Sequence, residues 1–333
     1  MRTKLISSCW GFLAIILIAS GLLFFKASLP MSDNTQSQVF EVKSGMTLKQ
    51  VSQELLGHKL IRSANAFQAI ALIQDKEKLI KVGEYYISPS MPAAEILQRI
   101  TSGKTVLHSV TIPEGYRITE IANLLEKRNL VDKNIFLQQA KNVQLLEGVP
   151  TGSLEGYLFP DTYHFGKRTT EAIIIKKMVE TFKERALKQE FLKRAGDMGF
   201  SYHEIITLAS LIEKETGKDS ERKQISSVFH NRLKKNMLLQ TDPTVIYVID
   251  MFDGNIRKRD LKIDSPYNTY LYKGLPPGPI ANPGLKSIIA ALYPANTSNL
   301  YFVSKQDGSH KFSATLNEHN RAVQKYQLRK IGR

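Results

Sequence analysis

Leu5 to Phe25, LISSCWGFLAIILIASGLLFF, runs for 21 residues without a charge. As a helix it would be roughly 31 Å long, about the thickness of a bilayer's hydrocarbon core. A helix apolar on every side needs apolar surroundings on every side, so this segment stands apart from any water-facing body and reads as an uncleaved membrane anchor. The rival reading is a secretory signal, whose apolar region spans only about 7 to 15 residues before a small-residue cleavage site. A cut after Ala19-Ser20-Gly21 would leave LLFF exposed at the new terminus. Arg2 and Lys4 precede the span and Lys26 follows it, a bias that places the bulk of the chain outside the cytoplasm. Cys9, the only cysteine, lies within the span, which excludes an internal disulfide and a cysteine-built metal site.

The chain's 333 residues leave room for about two domains behind the anchor. The polar run Met31 to Gln38 is a linker. Beyond it, Phe40 to Ile61 aligns without a gap on Val110 to Val131, at an offset of 70. Val42 matches Ile112, Gly45 matches Gly115, Val51 matches Ile121 and Leu55 matches Leu125. Each copy reads as a short strand, a glycine turn and an amphipathic helix. The opening V-x-x-G-x-T-L at Val42 to Leu48 resembles a LysM-type glycan-binding module, although a strand-turn-helix that merely packs would look the same. The expected fold class is α+β. Residues 1–27 are expected to form a short tail and a transmembrane helix, 28–38 the linker, 39–107 the LysM-like module, and 108–333 a mixed α+β domain.

Further along, Ser153 to Phe165 mixes aromatics, proline and carboxylates without helical period and predicts a loop or short strand. Helical spacing predicts helices over Glu171 to Gln189, Tyr202 to Thr216 and Ser220 to Lys235. Gly274 to Gly284 packs four prolines and three glycines into eleven residues and is a stiff loop. Asn282 and Pro283 then look like the cap and first turn of a helix to Leu292. Asp307-Gly308 between two apolar runs signals a hairpin, and Asn317 can cap a last helix to Lys330.

The formal charge of +15 is spread over many sites, among them Lys176-Lys177, Lys193-Arg194, Lys234-Lys235 and Arg257-Lys258-Arg259. Such a surface suits anionic lipid, nucleic acid or an acidic polymer, or it is simply a solvated face. An outward-facing chain meets little nucleic acid.

On a helical wheel of Tyr202 to Thr216, Ile205, Ala209 and Ile212 mark the centre of the apolar arc. Glu213 and Glu215 fall on opposite shoulders of that arc. A carboxyl held against apolar neighbours pays a desolvation penalty when ionised, so it can keep its proton near neutrality and serve as a general acid. Equally, either glutamate could be ion-paired at the helix end with Lys214, Lys218 or Arg222. Periodicity does not choose between the two.

Five motifs follow in order: LASLIEKET, ERKQISSVFHNRL, LQTDPTVIY, SPYNTY and GLPPGPIANPG. With SLEGYLFPDTY upstream and YFV and HNRAVQKY at the end, they resemble the YceG-like family of endolytic murein transglycosylases. The resemblance runs from Phe40 to Tyr326 and implies internal cleavage of nascent peptidoglycan strands by a single-pass inner-membrane protein with a periplasmic catalytic domain. It implies that the acid is the first glutamate of E-K-E-T, Glu213, and that membrane glycan synthases are partners. A lytic transglycosylase needs only one carboxyl, because the substrate's own C6 hydroxyl replaces water. Substrate-binding candidates are Glu155, Tyr157, Gln240, Thr241, Asp242, Tyr267, Asn268 and Tyr270. The seven histidines show no paired metal spacing and no nucleotide fingerprint occurs, so neither metal nor cofactor is expected. A wall-binding scaffold and a two-carboxylate hydrolase using Asp242 or Glu155 are the competing readings.

Overall fold

The computed structural model describes residues 15, 17–146, 150 and 152–328. Most of the expected anchor lies outside these residues. Its described part is helical over 17–28 (α1), with Leu17, Ile18, Leu22, Leu23 and Phe25 exposed. Among the described residues no helix is long and apolar enough to cross a membrane.

Two compact units divide the chain: residues up to His108 with His164–Arg168, and Ser109–Tyr163 with Thr169–Arg333. The architecture is mixed α+β, mostly helical, with three two-stranded sheets among the described residues.

In the first unit the order is β1 (Gln38–Val42), α2 (Leu48–Gly57), α3 (Ala64–Ile73), β2 (Gly83–Ile87) and α4 (Ala93–Ser102). Thr47 and Gln50 form a capping box that starts α2, and Ser63 caps α3. β1 runs antiparallel to β2 with Phe40 opposite Tyr85, and both rings turn inward onto Val51, Leu55, Phe67 and Ile96. The repeat reappears as β3 (His108–Thr111), α5 (Ile118–Lys127), α6 (Lys133–Gln139) and β4 (Thr162–Phe165), again strand, two helices, strand. β3 and β4 likewise form a two-stranded sheet. The copies share backbone detail: Gly45 and Gly115 have φ of 79° and 77°, and Lys59 and Asn129 have φ of 55° and 54°. At the two glycines this left-handed turn carries no Cβ penalty, which explains their match at the repeat offset.

The second unit continues with α7 (Glu171–Arg185), α8 (Gln189–Asp197), α9 (Tyr202–Glu215), α10 (Asp219–Lys234), α11 (Asp242–Val248) and α12 (Leu285–Leu292). The hairpin β5 (Tyr301–Ser304) and β6 (His310–Ser313) follows, then α13 (Leu316–Val323), which runs on into a π-helical turn at Gln324–Leu328. α9 is the axis of this unit, packed by α8, α10, α11 and α12. Ser201 and Glu204 form its capping box, and every residue from Ile205 to Ile212 is buried. Burial of its five large aliphatic side chains contributes on the order of 10 kcal/mol. Its two buried hydroxyls are satisfied locally, Thr207 by the His203 carbonyl at 2.8 Å and Ser210 by the Thr207 carbonyl at 2.7 Å.

Three expectations change. The α7 helix stops at Arg185, where Ala186 caps it, and α8 is a separate helix. Asn282 does not cap α12, which starts after Gly284, because its side chain is committed elsewhere. Thr315, with Glu318 in a capping box, starts α13 in place of Asn317.

Candidate active site

The two glutamates at the end of α9 have different surroundings. Both carboxylate oxygens of Glu213 are used: Arg222 Nη2 donates to Oε1 at 3.0 Å, and the Gly284 backbone N–H donates to Oε2 at 2.9 Å. Arg222 is itself buried and also bonds Ser287 Oγ at 3.0 Å and Asp219. Glu213 therefore ties α9 to α10 and to the N-terminus of α12, where the helix dipole favours an anion. This is the ion-paired alternative that the wheel left open, and it falls on Glu213.

Glu215, about 200° away around α9, faces a cavity of about 550 Å³. Gln240, Asp242, Tyr270 and Arg232 share that wall, and Tyr301, His310 and His319 stand among the other lining residues. Burial pushes the Glu215 carboxyl up to about 7, with Asp242 adding to the rise and the Thr241 hydrogen bond and Arg232 opposing it. Glu215 is half-buried and lines the cavity, so a ligand can reach it. Among the described residues its carboxyl's one hydrogen bond comes from the Thr241 hydroxyl.

Two motifs, LQTDPTVIY and SPYNTY, interlock to hold this wall. Thr269 takes the Gln240 N–H on its carbonyl at 3.1 Å and the Thr241 N–H on its hydroxyl at 3.1 Å. That clamp holds Gln240 at a φ of 48°, a strained value for a residue with a Cβ. Asn268, fully buried, donates to the carbonyls of Leu261 and Ile263 at 3.1 and 2.8 Å and accepts the Tyr270 N–H at 3.0 Å. It shapes the loop that carries Tyr270, whose hydroxyl donates to Asp242 at 2.5 Å.

Of the substrate-binding candidates, the structure gathers Gln240, Thr241, Asp242 and Tyr270 around Glu215. Asn268 supports them from behind. Glu155, Tyr157 and Tyr267 are not in the cavity wall. Glu155 is buried beneath the start of α5, accepting from the Ile118 N–H at 3.1 Å and from Asn282 Nδ2 at 3.1 Å. Burial pushes its carboxyl up to about 8, against the pull of the Ile118 N–H and Arg117. Asn282 also accepts the Leu158 N–H and donates to the Tyr116 carbonyl, both at 2.8 Å, so the proline-glycine loop is stitched to the 153–158 segment. Tyr157 bonds His203 Nδ1 at 2.6 Å, and Tyr267 packs against Tyr247 at 4.9 Å.

Arg232, Tyr301 and His319 line the cavity and had no assigned role. Their motifs, VFHNRL, YFV and HNRAVQKY, were visible. An arginine inside an amphipathic helix pattern reads as solvent-facing, and only the fold shows otherwise. Among the described residues no group of three or more His, Cys, Asp or Glu side chains could hold a metal ion.

The sequence signature of the YceG-like family matches residues 40–325. An endolytic murein transglycosylase of Bacillus subtilis is 36% identical, over 93% of this chain and 91% of that protein. One of Streptococcus pneumoniae is 31% identical over 91% of this chain, which spans 61% of that longer relative. The crystal structure of a YceG-like protein from Listeria monocytogenes superposes with a TM-score of 0.59 at 34% identity, covering 86% of this chain and 98% of that one.

Proposed function

The chain belongs to the YceG-like family, and from that premise we propose that it is a lytic transglycosylase that cuts peptidoglycan glycan strands internally, with Glu215 as the acid. The observation that carries this is a carboxyl raised to about 7 on the wall of a cavity large enough for sugar rings. Protonated Glu215 donates to the glycosidic oxygen between N-acetylmuramic acid and N-acetylglucosamine. As C1 gains positive character, the muramic C6 hydroxyl attacks it, and the Glu215 carboxylate takes that hydroxyl's proton. A 1,6-anhydro end forms and no water is added.

A pKa near the working pH suits a group that gives and then regains a proton, a contribution of typically about 10² to 10⁴ in rate. The Thr241 hydroxyl supports the carboxylate between the two steps. Tyr270, oriented by Asp242, and Gln240 present polar groups to the sugar. Glu213, assigned the acid's role by motif resemblance, has both oxygens occupied and is better suited to fix the end of α9.

Leu5 to Phe25 anchors the chain in the membrane with its folded units on the wall side. The chargeless run and the exposed apolar side chains of α1 support this. The basic surface suits strands whose stem peptides carry carboxylates, and membrane glycan synthases remain partners by resemblance alone. Asp242 on the same wall keeps a second reading alive, a hydrolase in which it directs water. Mass analysis of products from the full-length protein in detergent, acting on uncrosslinked strands, separates them. Anhydro-ended fragments of several disaccharides are expected; reducing ends would establish hydrolysis, and no cleavage would leave a wall-binding scaffold.

A further inference from the structure

Arg232 is 8% exposed, yet its hydrogen-bond partners among the described residues are backbone carbonyls and not a carboxylate. Its Nε donates to the Leu300 carbonyl at 2.7 Å, and its Nη1 to the carbonyls of Leu239 and Leu238 at 2.7 and 3.3 Å. Nη2 has no hydrogen-bond partner among the described residues, and the side chain lines the cavity. A buried cation without an anion is costly unless an anion arrives. The nearby carboxyl, Glu215, is protonated in the state that starts the reaction, and Asp242 is engaged by Tyr270. Tyr301 lies under the guanidinium at 5.3 Å, and His319 stacks on Tyr301 at 5.1 Å. His319 Nδ1 is buried without a partner among the described residues, and burial with Arg232 holds the imidazole toward its neutral form.

We propose that Arg232 Nη2 and His319 form a carboxylate-binding subsite at the hairpin end of the cavity, which takes a free carboxylate of the stem peptide borne by muramic acid. This rests on the transglycosylase reading and adds to it a preference for peptide-bearing strands over bare glycan. Arg232 supplies a charge-assisted donor, and the imidazole a neutral one. The flat Tyr301 ring keeps the guanidinium plane fixed, so little side-chain freedom is lost on binding.

The test measures binding and cleavage separately with the full-length protein. Three probes are used: strands with stem peptides, strands stripped by an amidase, and strands whose peptide carboxyls are converted to amides. Binding is titrated in an E215Q background, alone and with H319A or R232K, each checked by thermal melt. The intact strands are expected to bind about 10- to 100-fold more tightly than either other probe, the worth of charge-assisted hydrogen bonds. H319A and R232K should bring that ratio toward one. Equal binding of the three probes overturns the subsite, as does an H319A loss that is the same for all three. If R232K does not fold, the H319A ratio decides. If peptide-bearing strands bind preferentially but the wild type cleaves none, the subsite stands and the transglycosylase reading fails.

Discussion

Replacing Glu215 and Glu213 one at a time by glutamine should separate catalysis from folding. In Glu215→Gln the new side chain can still accept the Thr241 hydroxyl, so packing is kept and only the proton is lost. Cleavage should fall about 10²- to 10⁴-fold. Stability should rise. Raising a carboxyl from 4.5 to about 7 costs the native state about 3 kcal/mol at neutral and higher pH. Below pH 4.5 folded and unfolded chains both hold the proton and there is no penalty. Between 4.5 and 7 only the unfolded chain releases it, so stability falls as pH rises, and above 7 the full penalty stands. The gain for Glu215→Gln at pH 7 is therefore up to about 3 kcal/mol, or about 6 to 12 °C in a unit of this size. It should vanish below pH 4.5. Glu213→Gln places an amide NH₂ against a donor, either Arg222 or the Gly284 N–H. It should lose about 2 to 3 kcal/mol and about 5 to 10 °C, with activity following the folded fraction. Melting curves by circular dichroism at pH 4.5 and 7.5, paired with mass analysis of released fragments, give both quantities. A fully folded Glu213→Gln that has lost its rate, beside an active Glu215→Gln, refutes the assignment.

The rate of cleavage should decline tenfold per pH unit once pH passes about 7, because the acid must enter the reaction protonated; Thr241→Val, which removes a bond favouring the carboxylate, should move that decline to higher pH in a pH-rate profile. Asn282→Ala should cost about 4 kcal/mol in a denaturant titration, since it orphans the buried Leu158 N–H and loosens Glu155. Gly156→Ala should cost about 3 kcal/mol by the same measurement: φ is +90°, and a Cβ would lie 2.5 Å from Pro279 Cβ.

How far these elements were legible depends on the range of the forces that set them. The arc of Ile205, Ala209 and Ile212 fixed α9 and put both glutamates on its shoulders, because helical period is local. What distinguishes the shoulders is not local: Arg222 and Gly284 reach one, and Thr241 reaches the other. The same holds for Asn282, whose Asn-Pro sequence is a fair cap until the buried Leu158 N–H and Tyr116 carbonyl compete for its amide. Glu155 and Tyr157 are expected among the sugar-holding residues, but their partners Ile118, Asn282 and His203 lie 37 to 127 positions away, too far for any pattern to show that they point inward.

The duplicated strand-helix-helix-strand frame differs between its copies most in one joint. Nine residues (74–82) return the chain from α3 to β2, whereas 22 (140–161) return it from α6 to β4. Lengthening a tether by that ratio adds only about 0.8 kcal/mol of closure entropy. For that small entropic outlay the second copy gains a detour long enough to embed Glu155 and Tyr157 in a neighbouring helical body. The longer return path is thus what couples the second copy to the helices around α9.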